Sequence, residues 1–234
     1  MLEIEVTDRW HTTFPGAHVG VLLIGGVDNS APAPALDRRK REVEARLREQ
    51  FGGLSRAELL ELEVLKAYRD YYRKFDQTYH VQLQLESVVH RGKALPTVSP
   101  LVDASFVAEL ETLVLTASHD ADRLEAPVTI DATRGGKAFT QMSGKVRSLK
   151  PGDMMMGDGR GVVCTILSGQ DARTPVSPGT RRALYVTYAP AGVPEATIWR
   201  QLDAIRENVL LFAPHAGVEL VDVYASPRPG PALQ

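Results

Sequence analysis

The chain has 234 residues, 44% of them hydrophobic, and 27 lysines and arginines against 29 aspartates and glutamates, for a formal net charge of -2. That suits one globular domain with a sizeable core and excludes a strong grip on nucleic acid by net charge alone. One cysteine, Cys164, excludes an intrachain disulfide and a cysteine zinc cluster; the acidic start MLEIEVTDRW is not a signal peptide and no apolar run has the length of a membrane span, so a cytoplasmic protein is expected.

Leu2-Glu3-Ile4-Glu5-Val6 alternates with period two and predicts a half-buried strand. Trp10 and Phe14 read as core or edge cover. His18 to Val27 is an apolar run of strand length ending in Gly25-Gly26. No phosphate-loop or dinucleotide pattern follows, so these glycines read as the exit from a buried strand. Ala31-Pro32-Ala33-Pro34 leads into a helix with the stripe Leu36, Val43, Leu47 and Phe51, stopped by Gly52-Gly53. Its polar face carries Arg38, Arg39, Lys40 and Arg41, diluted by Glu42, Glu44 and Glu49. That is either a solvated face or a contact for RNA phosphate. Ser55-Arg56-Ala57-Glu58 is a capping box and predicts a helix through about Tyr72. It ends in Tyr71-Tyr72-Arg73-Lys74-Phe75, where Arg73 either meets the helix dipole or holds a carboxylate or phosphate. His80 to His90 predicts another helix, stopped by Gly92. Pro100 opens a central apolar segment running to Leu115. Asp103 lies in its first turn, where unpaired amides favour a carboxylate.

The second half changes texture. Strands are predicted at Pro127 to Asp131, Lys137 to Gln141, Arg182 to Tyr188 and Val218 to Tyr224. Met154-Met155-Met156 and Val162 to Ile166 form a hairpin across Gly157-Asp158-Gly159-Arg160-Gly161. Pro194 opens a last helix with the stripe Ile198, Leu202, Ile205, Val209 and Phe212. Helices concentrate early and short strands late, so the fold class is α+β and not an alternating doubly wound sheet. One domain over residues 1–225 is expected, followed by a disordered proline-rich tail over 226–234.

Three polar groups stand out: His119 with Asp120 and Asp122; the run from Ser168 to Thr174; and Thr180-Arg181-Arg182. A metal is not expected at the first, because adjacent turn residues rarely converge on one ion and no second histidine stands at ligand spacing. A capped turn explains Asp-x-Asp better. A Ser-His-Asp hydrolase would need a strained nucleophile elbow, and no G-x-S-x-G is present. Cys164 sits in an apolar strand and reads as core.

The segments P-L-V-D-A-S (100–105), H-D-A-D-R-L (119–124), G-G-K-A-F (135–139), L-K-P-G-D-M-M-M-G-D-G-R-G-V-V-C (149–164) and T-P-V-S-P-G-T-R-R-A-L (174–184) come in an order and spacing that resembles a known family. It is the tRNA-editing B3/B4 domain of the phenylalanyl-tRNA synthetase β subunit. The likeness spans about Tyr72 to Tyr188, without any synthetase catalytic domain. It implies a B3/B4-like fold: helices packed around a mixed β-sheet, with a central cleft. It also implies a free-standing aminoacyl-tRNA deacylase acting in trans on mischarged tRNA, without cofactor or metal. The partner is then the tRNA acceptor end or an aminoacyl-tRNA, with neither DNA nor a membrane involved.

In that reading Asp171 and Thr174 are the catalytic candidates, with Asp171 on the substrate ammonium group and Thr174 on water. Backbone amides at Ser168 and Gly169 stabilise the oxyanion. Arg173 meets the terminal phosphate, and Thr180 meets water or ribose hydroxyls. Arg73, Asp103, His119 and Asp120 complete the candidate substrate-binding set. The run I-L-S-G-Q-D-A-R-T lacks the aromatic residue and asparagine of free-standing relatives, so the amino acid is left open. Two alternatives stand beside hydrolysis: a non-catalytic module that binds an amino acid or tRNA end, and a small-molecule enzyme reusing the cleft. A tRNA substrate further implies a basic border to the cleft, drawn from Arg38 to Arg41, Arg73, Lys74, Arg147, Arg181 and Arg182.

Overall fold

A computed structural model describes residues 2–136 and 138–227. The elements run β1 (Ile4–Val6), α1 (Asp8–Thr13), β2 (His18–Gly25), α2 (Pro34–Phe51), α3 (Arg56–Leu59), α4 (Glu63–Arg73), α5 (His80–Arg91) and α6 (Pro100–Thr112). Then follow β3 (Thr116–Asp120), β4 (Val128–Ala132), β5 (Ala138–Thr140), β6 (Val146–Ser148), β7 (Met154–Asp158), β8 (Gly161–Thr165) and β9 (Gly169–Gln170). β10 (Arg182–Ala189), α7 (Glu195–Leu210) and β11 (Gly217–Ala225) close the chain. The fold is α+β, as the early helices and late strands predict.

α6 is the central helix. Leu101, Ala104, Val107, Ala108 and Leu110 are buried, and so are the polar Asp103, Ser105, Glu109 and Thr112. A helix covered on all sides belongs in a core. Its polar residues therefore need partners. Lys40 of α2 gives Asp103 one, at 2.9 Å with both side chains buried, and the Asp103 carboxylate also accepts from Val98 N. Lys40 reaches Pro96 O and Thr97 Oγ1 as well. One ammonium group thus fixes the loop that leads into α6.

The strands form a five-stranded mixed sheet in the order β1-β4-β7-β8-β9, with β1 and β4 parallel, and a four-stranded antiparallel sheet in the order β11-β2-β10-β3. β5 and β6 make a separate hairpin. β2 and β10 are buried almost throughout, which is why both read as continuous apolar runs without alternation. α7 lies across the four-stranded sheet, and Gly20 permits the close approach: a Cβ there would meet Ile198 Cγ2 at 2.6 Å.

Four tyrosines pin the helices to the strands. Tyr68 donates to Tyr188 O and accepts from Leu115 N; Tyr79 donates to Leu113 O. Tyr72 donates to Ile166 O, and Tyr71 donates to Asp153 while accepting from Met154 N. The Tyr68 and Tyr79 rings stack at 4.1 Å.

The structure departs from the sequence reading in four places. The helix expected from Ser55 through Tyr72 is broken: Ser55 caps α3 with the expected box, and α4 restarts after an extended Leu62. The break lets Leu59 and Leu65 both reach the core, and packing overrides local propensity. The apolar segment from Pro100 stops as helix at Thr112, and Thr116–Asp120 becomes strand β3 because β10 offers it a partner. α1, capped by Thr7, and β6 carry no strong sequence signal. Ser226, the expected first residue of a disordered tail, is buried: its N donates to Ala17 O and its hydroxyl donates to His11 O. Residues 228–234 and Lys137, the start of the expected 137–141 strand, lie outside the described residues. No helix among the described residues is long and apolar enough to cross a membrane.

Candidate functional site

A cavity of about 530 Å³ opens where the two large sheets approach α6. One wall is β3 with its lead-in, Leu115 to Ser118; the facing wall is Cys164, Thr165 and Ile166 with Gly169 and Gln170. α6 contributes Val102, Ser105 and Phe106, and the loop from Pro175 to Pro178 closes one side. Val98 and Met142, each 62% exposed, stand at the mouth. The walls are mainly apolar, and none of the lining side chains is Asp, Glu, Lys or Arg. His80 stands at the edge, where burial lowers its pKa. Such a site takes a neutral, apolar group and turns charged ones away.

The walls are held by polar clamps, of which Asn29, Gln170 and Ser177 themselves line the cavity. Asn29 accepts from Leu101 N and donates to Ser177 O, tying α6 to the 175–178 loop. Asp120 accepts from Thr180 Oγ1 at 2.7 Å, and Thr180 accepts from Ser177 N. Asp120 also caps the turn after β3 by accepting from Asp122 N. Gln170 spans the two sheets, donating its amide to Ser118 O (2.6 Å) and Thr174 O (3.2 Å).

Behind Gln170 lies a buried relay. Thr174 Oγ1 donates to Asp171 Oδ1 at 2.6 Å and lies 2.8 Å from His119 Nδ1. The Gln170 amide nitrogen lies 3.0 Å from the same Nδ1, so one ring nitrogen meets both Thr174 and Gln170. His119 is fully buried, and burial drives its pKa down to about 3, so it is neutral at any physiological pH. Arg173 bridges Asp171 (2.9 Å) and Asp158 (3.0 Å). Burial works against the Asp158 charge, yet the hydrogen bonds from Arg173 and the Arg160 amide hold its carboxyl below the usual range.

The structure places most of the sequence candidates around the cavity and not along its lining. Of the candidate residues only Gly169 lines the cavity. Asp171 and Arg173 border a different hollow of about 310 Å³ beside β5, and their charges meet each other. Asp103 is closed off by Lys40 and Asp120 by Thr180, so both shape the walls and touch nothing inside them. His119 and Thr174 face each other, behind the wall. Ser168 donates its N to Thr165 Oγ1 and accepts from Gln141 at its O. Arg73 is exposed at the end of α4, away from the lining. His119, Asp120 and Asp122 do not converge, and no group of three potential metal ligands occurs among the described residues. Sequence reasoning missed Val102, Phe106, residues 115–118 and the Gln170 side chain. Thr116 to Asp120 reads T-A-S-H-D with no apolar alternation, so its own residues carry no signal for β3. Cys164 is buried as expected although it also lines the wall, and burial pushes its thiol up to about 12.

A wider hollow of about 930 Å³ lies between α2, α4 and α7. Its charged residues include Arg39 and Arg46, which share Glu111, and it has the character of helix surface.

No curated protein sequence matches this chain. Among solved structures it is similar to an N-terminal fragment of the phenylalanyl-tRNA synthetase β subunit from Pyrococcus horikoshii, at 10% identity and a TM-score of 0.49. The similarity covers 95% of this chain and 50% of that one, so the chain spans half the length of the fragment. The B3/4 domain family matches residues 65–200, which hold the walls of the cavity from α6 to β10. The match extends over more than half of the 234 residues, and the chain belongs to the B3/4 domain family.

Proposed function

We propose that this chain receives the aminoacylated end of a tRNA, seats the amino-acid side chain in the apolar cavity, and acts in trans on mischarged tRNA. The observation that carries this is the cavity: about 530 Å³, walled by apolar side chains and rimmed by neutral polar ones. The motif resemblance to a tRNA-editing domain brings tRNA into the reading. The finer part is hydrolysis. An aminoacyl ester is already activated, so a held water and fixed donors suffice without a covalent nucleophile. Gly169, with φ +71° and no Cβ, leaves room at the rim for a substrate to approach the backbone. Asp171 and Thr174 then act behind the wall, as positioning residues that hold the Gly169–Gln170 edge.

A second reading, a non-catalytic binding module, is favoured by one specific observation. The polar groups from Ser168 to Thr174 bond to one another and to neighbouring strands, and no Asp, Glu, Lys or Arg lines the cavity. A deacylation screen separates the two. Purified protein is incubated with correctly and incorrectly charged tRNAs, beside Val102→Trp, which fills the cavity from α6. The expected result is release of one mischarged amino acid by the wild type, at least ~10-fold slower in Val102→Trp, with binding of the tRNA body unchanged. Retention of charged tRNA without release would establish the binding module. Equal release by Val102→Trp would remove the cavity from the function.

A further inference from the structure

Between Ala132 and Gly152 the sequence carries Arg134, Lys137, Lys145, Arg147 and Lys150 and no acidic residue, in a chain whose net charge is -2. Arg134, Lys145, Arg147 and Lys150 are exposed, and none forms an ion pair with a described residue. Among the described residues, the Arg147 side chain donates only to Gln141 Oε1, and that of Lys150 only to Phe75 O. Several bases elsewhere are held by carboxylates, although Arg38 and Arg41 on α2 are exposed and form no ion pair with a described residue. Arg39 meets Glu111, Lys40 is buried on Asp103, Arg181 lies against Asp28, and Arg182 meets Asp122 and Glu219.

This charge is attached to the cavity. In the β5–β6 hairpin, Met142 N donates to Gln170 O and the Gln141 side chain donates to Ser168 O, so the hairpin is laced to the rim. Met142 lines the mouth while 62% exposed. Arg147 lies on the same Gln141 that reaches the rim. At the other end Lys150 meets the C-terminus of α4, where Arg73 and Lys74 are exposed. An unpaired basic strip thus runs from α4 along the hairpin to the opening.

Resting on the reading above, we propose that the β5–β6 hairpin holds the sugar–phosphate backbone of the RNA whose aminoacyl end enters the cavity, with Lys145 and Arg147 on phosphates and Met142 against the terminal nucleotide. Unpaired exposed bases release counterions from RNA on contact; bases already held by carboxylates do not.

The test is binding of unacylated bulk tRNA to the full chain across about 50 to 200 mM salt. The variants are K145E/R147E, the neutral K145Q/R147Q, and R38E/R41E on the exposed face of α2 as a control. The hairpin reversal should weaken binding at least ~10-fold and lower the slope of log affinity against log salt by about two, with a smaller loss for the neutral pair. The α2 control should bind like the wild type. Wild-type affinity in both hairpin variants, or a loss confined to R38E/R41E, overturns the hairpin assignment and leaves the tRNA reading standing. No tRNA binding by the wild type at the lowest salt overturns both. Polyglutamate competing as well as tRNA would make the strip a site for acidic protein and overturn the RNA assignment.

Discussion

Thr174 is a single hydroxyl joining two buried groups. It gives its proton to Asp171 and lies 2.8 Å from His119 Nδ1, and its amide also donates to Asp171. Thr174→Val keeps the shape and removes both side-chain contacts, leaving His119 Nδ1 and a carboxylate oxygen each short of a partner. The expected loss is about 1–3 kcal/mol in urea unfolding. If Thr174 only positions the Gly169–Gln170 edge, the folded variant loses deacylation in proportion to ligand binding. A fall in turnover with binding intact would instead place the hydroxyl at the reacting atoms. The residue names in the Ser168–Thr174 run were legible in sequence as a dense polar cluster. Their orientation was not, because a side chain that bonds inward and one that faces a cavity have the same letter.

At the scale of elements, the cavity exists because loops are clamped onto helices. Lys40 of α2 holds Asp103, Pro96 O and Thr97 Oγ1 at once, and Val98 at the mouth depends on the same carboxylate. Lys40→Met should cost about 3–5 kcal/mol, since it strands a buried aspartate, and it should weaken ligand binding by freeing the 96–99 loop. Adding Asp103→Asn should recover much of the stability, measured by denaturant midpoint. A single variant as stable as the wild type would show the pair to be dispensable. Lys40 read from sequence as part of a solvated basic face; Arg38 and Arg41 are exposed there, but Lys40 falls one turn inward beside Leu36 and Val43. Helical spacing contained that fact. A charge was read as surface by habit of composition, and only the facing Asp103 makes its burial tolerable.

For the molecule as a whole, Glu109 links stability to pH. It is buried in α6, its carboxylate accepts from Thr116 N at 2.6 Å, and burial pushes its pKa up to about 8. The folded chain then keeps a proton that the unfolded chain releases near its ordinary 4.5. Native stability from this group is full below about pH 4.5 and is lost as pH rises to about 8, with a slope of at most ~1.4 kcal/mol per pH unit. Glu109→Gln retains an acceptor for Thr116 N and should flatten that part of the profile in denaturant melts at successive pH values. An unchanged profile would assign the dependence to other groups.

The sequence by itself determined the α+β class, the buried runs of β2 and β10, the capped start at Ser55, the β7–β8 hairpin and the order of motifs that marks the family. Each follows from local periodicity, caps or turn residues, which act between near neighbours in the chain. Tertiary structure alone decided which polar residues face the cavity and which clamp it from behind. It also turned Thr116–Asp120 into a strand by giving it β10, and laid a basic hairpin against the rim. Those outcomes depend on partners distant in the chain, such as His119 with Thr174, Asp120 with Thr180 and Gln141 with Ser168. A buried polar group goes wherever such a partner satisfies it, and spacing along the chain carries no record of that choice.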